Sequence, residues 1–161
     1  MNRKLLLWEV GRWAAVCLTV LSLFLMAGTA PRSNVALTEL EPLTAPLLKE
    51  GEAQAGDNRM LRRFYGLNPA DYEGTVLYYP ATNMGVEELL LVKLKDPAQG
   101  DGVREAIDAR LASQKKSFDG YGVEQTELLN SHAVVEIRGS YVLFTVSENA
   151  QKIRQAFLDA L

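Results

Sequence analysis

Few residues in this chain are equipped for chemistry. It has one histidine, His132, and one cysteine, Cys17. A zinc site built from His and Cys therefore lacks ligands, and a Ser–His–Asp triad would have to use His132. That residue stands among Asn130, Ser131 and Glu136, where it could act as a general base. Its place on the polar side of a strand end fits an ordinary surface histidine better. Glu87 and Glu88, with Asp71 and Glu73 upstream, offer carboxylates for acid/base work or for a hard cation. Adjacent strand residues point to opposite faces, so Glu87 and Glu88 are not by themselves a matched pair. A solvated strand end is the simpler expectation, because Glu is rarely fully buried without a partner.

Binding chemistry has more candidates. Arg59, Arg62 and Arg63 fall within one short helix and, with Lys49, could touch anionic lipid or an acidic partner, although a solvated helix face is the simpler expectation. Tyr78 and Tyr79 point to opposite sides of a sheet. If Tyr72, Tyr121 or Tyr141 joins the one on the less covered face, the result is an aromatic patch suited to a peptide or glycan. Cross-strand packing is the competing use of these rings. The candidate binding surface is thus Tyr72, Tyr78, Tyr79, Glu87, Glu88, Tyr121 and Tyr141. The sequence contains no P-loop, dinucleotide fingerprint, HExxH or nucleophile elbow. No catalytic, cofactor-binding or metal-ligating residue is assigned.

Hydropathy patterning supplies the elements that must position these groups. Thr75 to Tyr79 and Glu87 to Lys95 read as strands of one hairpin, and His132 to Arg138 and Tyr141 to Val146 as a second, turned by Gly139-Ser140. Between them, Asp96-Pro97-Ala98-Gln99 carries a capping residue, a first-turn proline and a Gln at the third position. Val103, Ile107, Leu111, Gln114 and Phe118 then repeat along one helical face. Ser147 caps a last helix with Ala150, Ile153, Phe157, Ala160 and Leu161 inward. Asn58 to Phe64 reads as a short helix stopped by Gly66. The order β-β-α-β-β-α predicts an α+β, two-layer domain over residues 58–161, with an antiparallel sheet of two hairpins and helices on one face. Residues 33–57, broken by Pro42 and Pro46, read as a stalk with short helical pieces.

Residues 1–32 read as a signal anchor. Trp13 to Ala30 is uncharged and almost wholly apolar, and eighteen helical residues span about 27 Å, close to a bilayer's hydrocarbon thickness. Arg3, Lys4 and Arg12 precede this run and only Arg32 closely follows it. The positive-inside rule then places the N-terminus in the cytoplasm and the rest outside. A cleaved signal peptide ending at Gly28-Thr29-Ala30 competes, with Pro31 as a poor neighbour to the cut. A lipoprotein modified at Cys17 fits less well, since bulky Val16 precedes the cysteine and thirteen more mostly apolar residues follow it. Hydrophobic residues make up 48% and charged residues 23% of the 161-residue chain, which are globular proportions. The net charge of −3 gives no basic patch for nucleic acid.

Several scattered features carry a family resemblance. They are Tyr65-Gly66-Leu67, Asp71-Tyr72, Tyr79-Pro80, Glu87-Glu88 before an apolar strand, Lys95-Asp96, Arg110 to Gln114 with Phe118, Gly120-Tyr121, Gly139-Ser140-Tyr141-Val142 and Val146-Ser147. Over roughly residues 64–161 the chain resembles the bacterial extracytoplasmic family catalogued as domain of unknown function 4358. The resemblance implies an N-terminal membrane anchor or lipoprotein signal and lends no reaction, cofactor or catalytic residue. Two functional expectations follow. One is a membrane-tethered binding or accessory domain, meeting an envelope protein or cell-wall component without a cofactor. The other is an envelope hydrolase with an unrecognised carboxylate or Ser/Tyr site. A deep pocket with converging Glu, His and Tyr favours the enzyme; a shallow aromatic face or free strand edge favours binding.

Overall fold

The computed structural model describes residues 34–161. The signal anchor expected over residues 1–32 lies outside the described residues. Among the described residues no helix is long and apolar enough to cross a membrane.

Helix α1 (Leu37–Thr44) leads into a short edge strand β1 (Ala53–Ala55), then α2 (Asn58–Tyr65), β2 (Gly74–Pro80) and β3 (Glu88–Lys93). Helices α3 (Gly100–Phe118) and α4 (Val123–Ser131) follow, then β4 (Ala133–Arg138), β5 (Tyr141–Val146) and α5 (Ala150–Ala160). The five strands form one sheet in the order β1-β2-β3-β5-β4, every neighbouring pair antiparallel. Both expected hairpins are present, joined through their second strands, with Leu90 opposite Phe144 and Val92 opposite Val142.

The helices lie on both faces of this sheet, which corrects the expectation of one covered face. On the first face α2, α3 and α4 bury Leu61, Val103, Ile107, Phe118 and Leu129 against Leu90, Val92, Val142 and Phe144. On the second, α1 and α5 bury Leu40, Ile153 and Phe157 against Leu89, Leu91 and Leu143. The physical reason is in β3 and β5. Every residue of both strands is buried, and a strand covered on both sides needs a continuous apolar run rather than alternation. Leu89-Leu90-Leu91-Val92 is such a run.

Residues 34–57 likewise belong to the folded unit rather than to a stalk. Leu40 is fully buried, and β1 extends the sheet, with Gln54 opposite Tyr79. Pro42 sits inside α1 without ending it. Thr44 donates from its hydroxyl to the Leu40 carbonyl at 2.8 Å.

Local signals set the helices that matter for the site. Asp57 caps α2 by accepting from Arg59 and Met60 backbone N–H at 3.0 and 2.9 Å, and Gly66 ends it in the left-handed region at φ 68°, where glycine carries no Cβ penalty. Asp96 and Gln99 form a reciprocal capping box ahead of α3. Val103, Ile107, Gln114 and Phe118 are buried along that helix; Leu111 packs on the core but is only partly buried. Ile107→Ala should therefore cost about 2–5 kcal/mol through the cavity it leaves. Leu111→Ala should cost less, and Arg104→Ala, on the exposed side, within about 0.5 kcal/mol. Urea melts of the three variants check that order.

Candidate functional site

The centre of the site is a carboxylate at the start of β3. Glu88 is fully buried and points to the first face, where four donor atoms meet it. Tyr65 Oη donates to Oε1 at 2.6 Å. Arg110 donates from Nε to Oε1 at 3.2 Å and from Nη2 to Oε2 at 3.1 Å. Gln114 Nε2 donates to Oε2 at 2.7 Å. Helical spacing supplies this arrangement: Leu61 and Tyr65 share the buried face of α2, and Arg110 and Gln114 lie one turn apart on α3. Arg110 also lies over the Phe64 ring, its guanidinium carbon 4.4 Å from the centroid, a cation–π contact that fixes the planar group.

Burial pushes the Tyr65 hydroxyl well above its ordinary pKa, helped by the charge of Glu88 and the hydrogen bond to it and opposed by Arg110. The consequence for stability has a definite sign. Above pH 10.0, the ordinary tyrosine value, the unfolded chain releases this proton while the folded chain keeps it, so stability falls as pH rises. Tyr65→Phe should flatten that fall in urea midpoints taken over roughly pH 9–11. Equal slopes for both proteins would remove Tyr65 as the cause.

Above this network lies a cleft of about 260 Å³. Phe64, Tyr79, Phe118 and Tyr121 supply its aromatic surface, and Arg110 and Gln114 connect it to Glu88. Phe64 and Tyr79 pack tilted at 5.4 Å between centroids, Phe118 and Tyr121 at 5.9 Å. Thr82, Asn83, Ser113 and Ser117 add neutral polar groups. Gln114 is 5% exposed, and its Oε1 is buried without a hydrogen-bond partner.

The structure divides the predicted surface residues rather than gathering them. Tyr79 and Tyr121 share the cleft, and Tyr72 packs elsewhere against the same core. Tyr78 and Tyr141 face the opposite side of the sheet. There Tyr78 Oη donates to Glu41 at 2.8 Å, the bond that chiefly raises its pKa, and Tyr141 Oη donates to the Val35 carbonyl at 2.7 Å. Glu87 and Glu88 point to opposite faces. Neither is the solvated strand end expected of them. Glu87 is 4% exposed and accepts from the Lys49 backbone N–H at 2.8 Å and from Ser147 Oγ at 2.6 Å. Each carboxylate is buried because donors from distant parts of the chain satisfy it. Arg59, Arg62 and Arg63 remain exposed. Among the described residues no group of three or more His, Cys, Asp or Glu is disposed to hold a metal ion.

Sequence reasoning did not single out Tyr65, Phe64 or Arg110 as site residues. One signal was available: Gln114 is a polar residue inside an otherwise apolar helical stripe, and a buried amide requires a partner.

No curated protein and no solved structure matches the chain. The family model described as Domain of unknown function (DUF4358) matches residues 47–147, a span that takes in the Glu88 network and the cleft, and the chain belongs to that family.

Proposed function

We propose that this protein is a membrane-tethered binding domain working outside the cytoplasm, with the cleft between β2, the β2–β3 connection and α3 as its ligand site. The observation that carries the reading is the lining of the cleft. Aromatic walls and neutral polar side chains surround a single charged residue, Arg110, whose charge is matched by Glu88 at 3.1 Å. Hydrolysis requires a general acid or base, or an activated nucleophile, within reach of the substrate. The cleft-lining residues include no carboxylate, histidine or cysteine, and Ser117 Oγ donates to the Ser113 carbonyl at 2.9 Å rather than to a base. A concave surface with aromatic and polar groups is instead suited to holding a ligand.

The tether rests on the sequence: the apolar run from Trp13 to Ala30 and the basic residues before it. The experiment places a photo-reactive amino acid at Tyr121 or, for comparison, at exposed Arg104 in the full-length chain, and irradiates intact cells. Adducts with an envelope component should form from position 121 and not from 104. Protease added to protoplasts should degrade the domain. Matching adduct patterns from the two positions would overturn the binding site, and protection from protease until lysis would overturn the orientation.

A further inference from the structure

We propose that the cleft takes a neutral saccharide carrying an acetamido group, read by Arg110 and Gln114 and stacked on the tyrosines. The proposal rests on the binding reading above and names its ligand class.

The polar floor holds a donor and a covered acceptor on successive turns of α3. Glu88 compels Gln114 to direct its Nε2 toward the carboxylate, so Oε1 is the end left over, buried and without a partner. Arg110 uses Nε and Nη2 on Glu88, which leaves the two N–H groups of Nη1 without a protein acceptor. An acceptor and a donor one helical turn apart match a group that offers N–H and C=O together. A secondary amide does this, whereas a carboxylate or phosphate offers acceptors alone and would leave Gln114 Oε1 facing another oxygen. Oε1 is closed to solvent, so a donor reaches it by parting the side chains that cover it.

The walls narrow the class further. Tyr79 and Tyr121, the latter 64% exposed, present flat apolar surfaces to a ring with an apolar face. Thr82, Asn83, Ser113 and Ser117 supply the donors and acceptors that hydroxyls need. An extended peptide, the other amide-bearing ligand, is normally held by main-chain bonds to a free strand edge. The free edge that borders this cleft is the three-residue β1, through Gln54, too short for such a ladder of main-chain bonds. The volume of about 260 Å³ falls just below the usual range of small-ligand sites, roughly 300–1,000 Å³, and suits one or two sugar rings.

The test uses the full-length ¹⁵N-labelled chain in a detergent without sugar headgroups, titrated with N-acetylglucosamine dimer and tetramer and, separately, with glucose oligomers of the same lengths. The acetamido sugars should give saturable shifts at the Gln114 side-chain amide and at Tyr121, and the glucose oligomers should bind about tenfold more weakly, the worth of about one hydrogen bond. Gln114→Met should weaken binding by about tenfold on the same reasoning, and Tyr121→Ala by a similar factor through lost stacking, worth about 0.5–1.5 kcal/mol, with Arg104→Ala unchanged. Tyr121 is exposed, so that variant reports even if Gln114→Met fails to fold. No saturable shift at millimolar sugar, or equal binding of the glucose oligomers, would overturn the proposal. Photo-adducts from position 121 that collapse with protease but resist a muramidase would also overturn it while leaving the binding reading intact.

Discussion

A chain that begins at Asn58 will not fold cooperatively, whereas one that begins at Asn34 will. The shorter chain loses α1 and β1 and with them Leu40, which is fully buried against the second face of the sheet. It also loses the Lys49 backbone N–H that donates to buried Glu87 at 2.8 Å. Removing Leu40 alone is worth about 2–5 kcal/mol. Removing the whole segment also uncovers part of the Leu89, Leu91 and Leu143 surface and leaves Glu87 short of a donor. Against a total stability of roughly 5–15 kcal/mol for a domain, the sum leaves little or nothing. Far-UV circular dichroism should show secondary structure in both chains. Near-UV signals and a sigmoidal urea transition should appear only in the longer one, with dye binding to exposed apolar surface in the shorter. A sharp transition from Asn58 onward would return residues 34–57 to the status of a stalk.

Arg110→Met should cost about 3–5 kcal/mol, because it leaves a buried carboxylate without its counter-charge. Glu88 would retain Tyr65 and Gln114 as donors, but neither carries charge. The reciprocal change, Glu88→Leu, strands the guanidinium, although Arg110 keeps 14% side-chain exposure and can turn toward the cleft, so its cost should be smaller. The double variant should lose distinctly less than the two single losses added together, since it removes both charges. A double-mutant cycle by urea denaturation measures the coupling. Additive losses would mean that the pair does not act as a unit and that the floor of the cleft is held by something else.

These two predictions concern the features hardest to read from sequence. Each strand of the hairpins was legible to within a residue or two, because β-branched and aromatic runs between glycines and prolines are local signals. The α3 stripe was legible for the same reason, down to Gln114. The layering was not taken from the sequence, although Leu89-Leu90-Leu91-Val92 and Tyr141 to Val146 hold the evidence for it. An uninterrupted apolar run also suits a strand with one face exposed at its end, and only the pairing of β3 with β5 makes both strands central. The site was less legible still. Glu88 reads as a surface residue by type, and what buries it, Tyr65, Arg110 and Gln114, lies 22 to 26 positions away. A carboxylate's burial is decided by partners that local patterning does not reveal. β1 was missed because Ala53-Gln54-Ala55 has no strand-forming side chain and owes its conformation to the edge of β2.

If the cleft is where this protein meets its ligand, it is occupied in native membranes. In a Cys17→Ser background, a single cysteine is placed at exposed Ser117, beside the cleft, or at Leu43 on α1, which is 51% exposed and belongs to the opposite side. Labelling by a small thiol reagent is timed in the purified full-length chain and again in native membranes. With the ligand in the cleft, position 117 reacts about tenfold more slowly in membranes, as expected for a site filled about nine-tenths of the time, while position 43 reacts at the same rate in both. Equal rates at position 117 in the two settings, or slowing confined to position 43, would contradict a ligand site in the cleft.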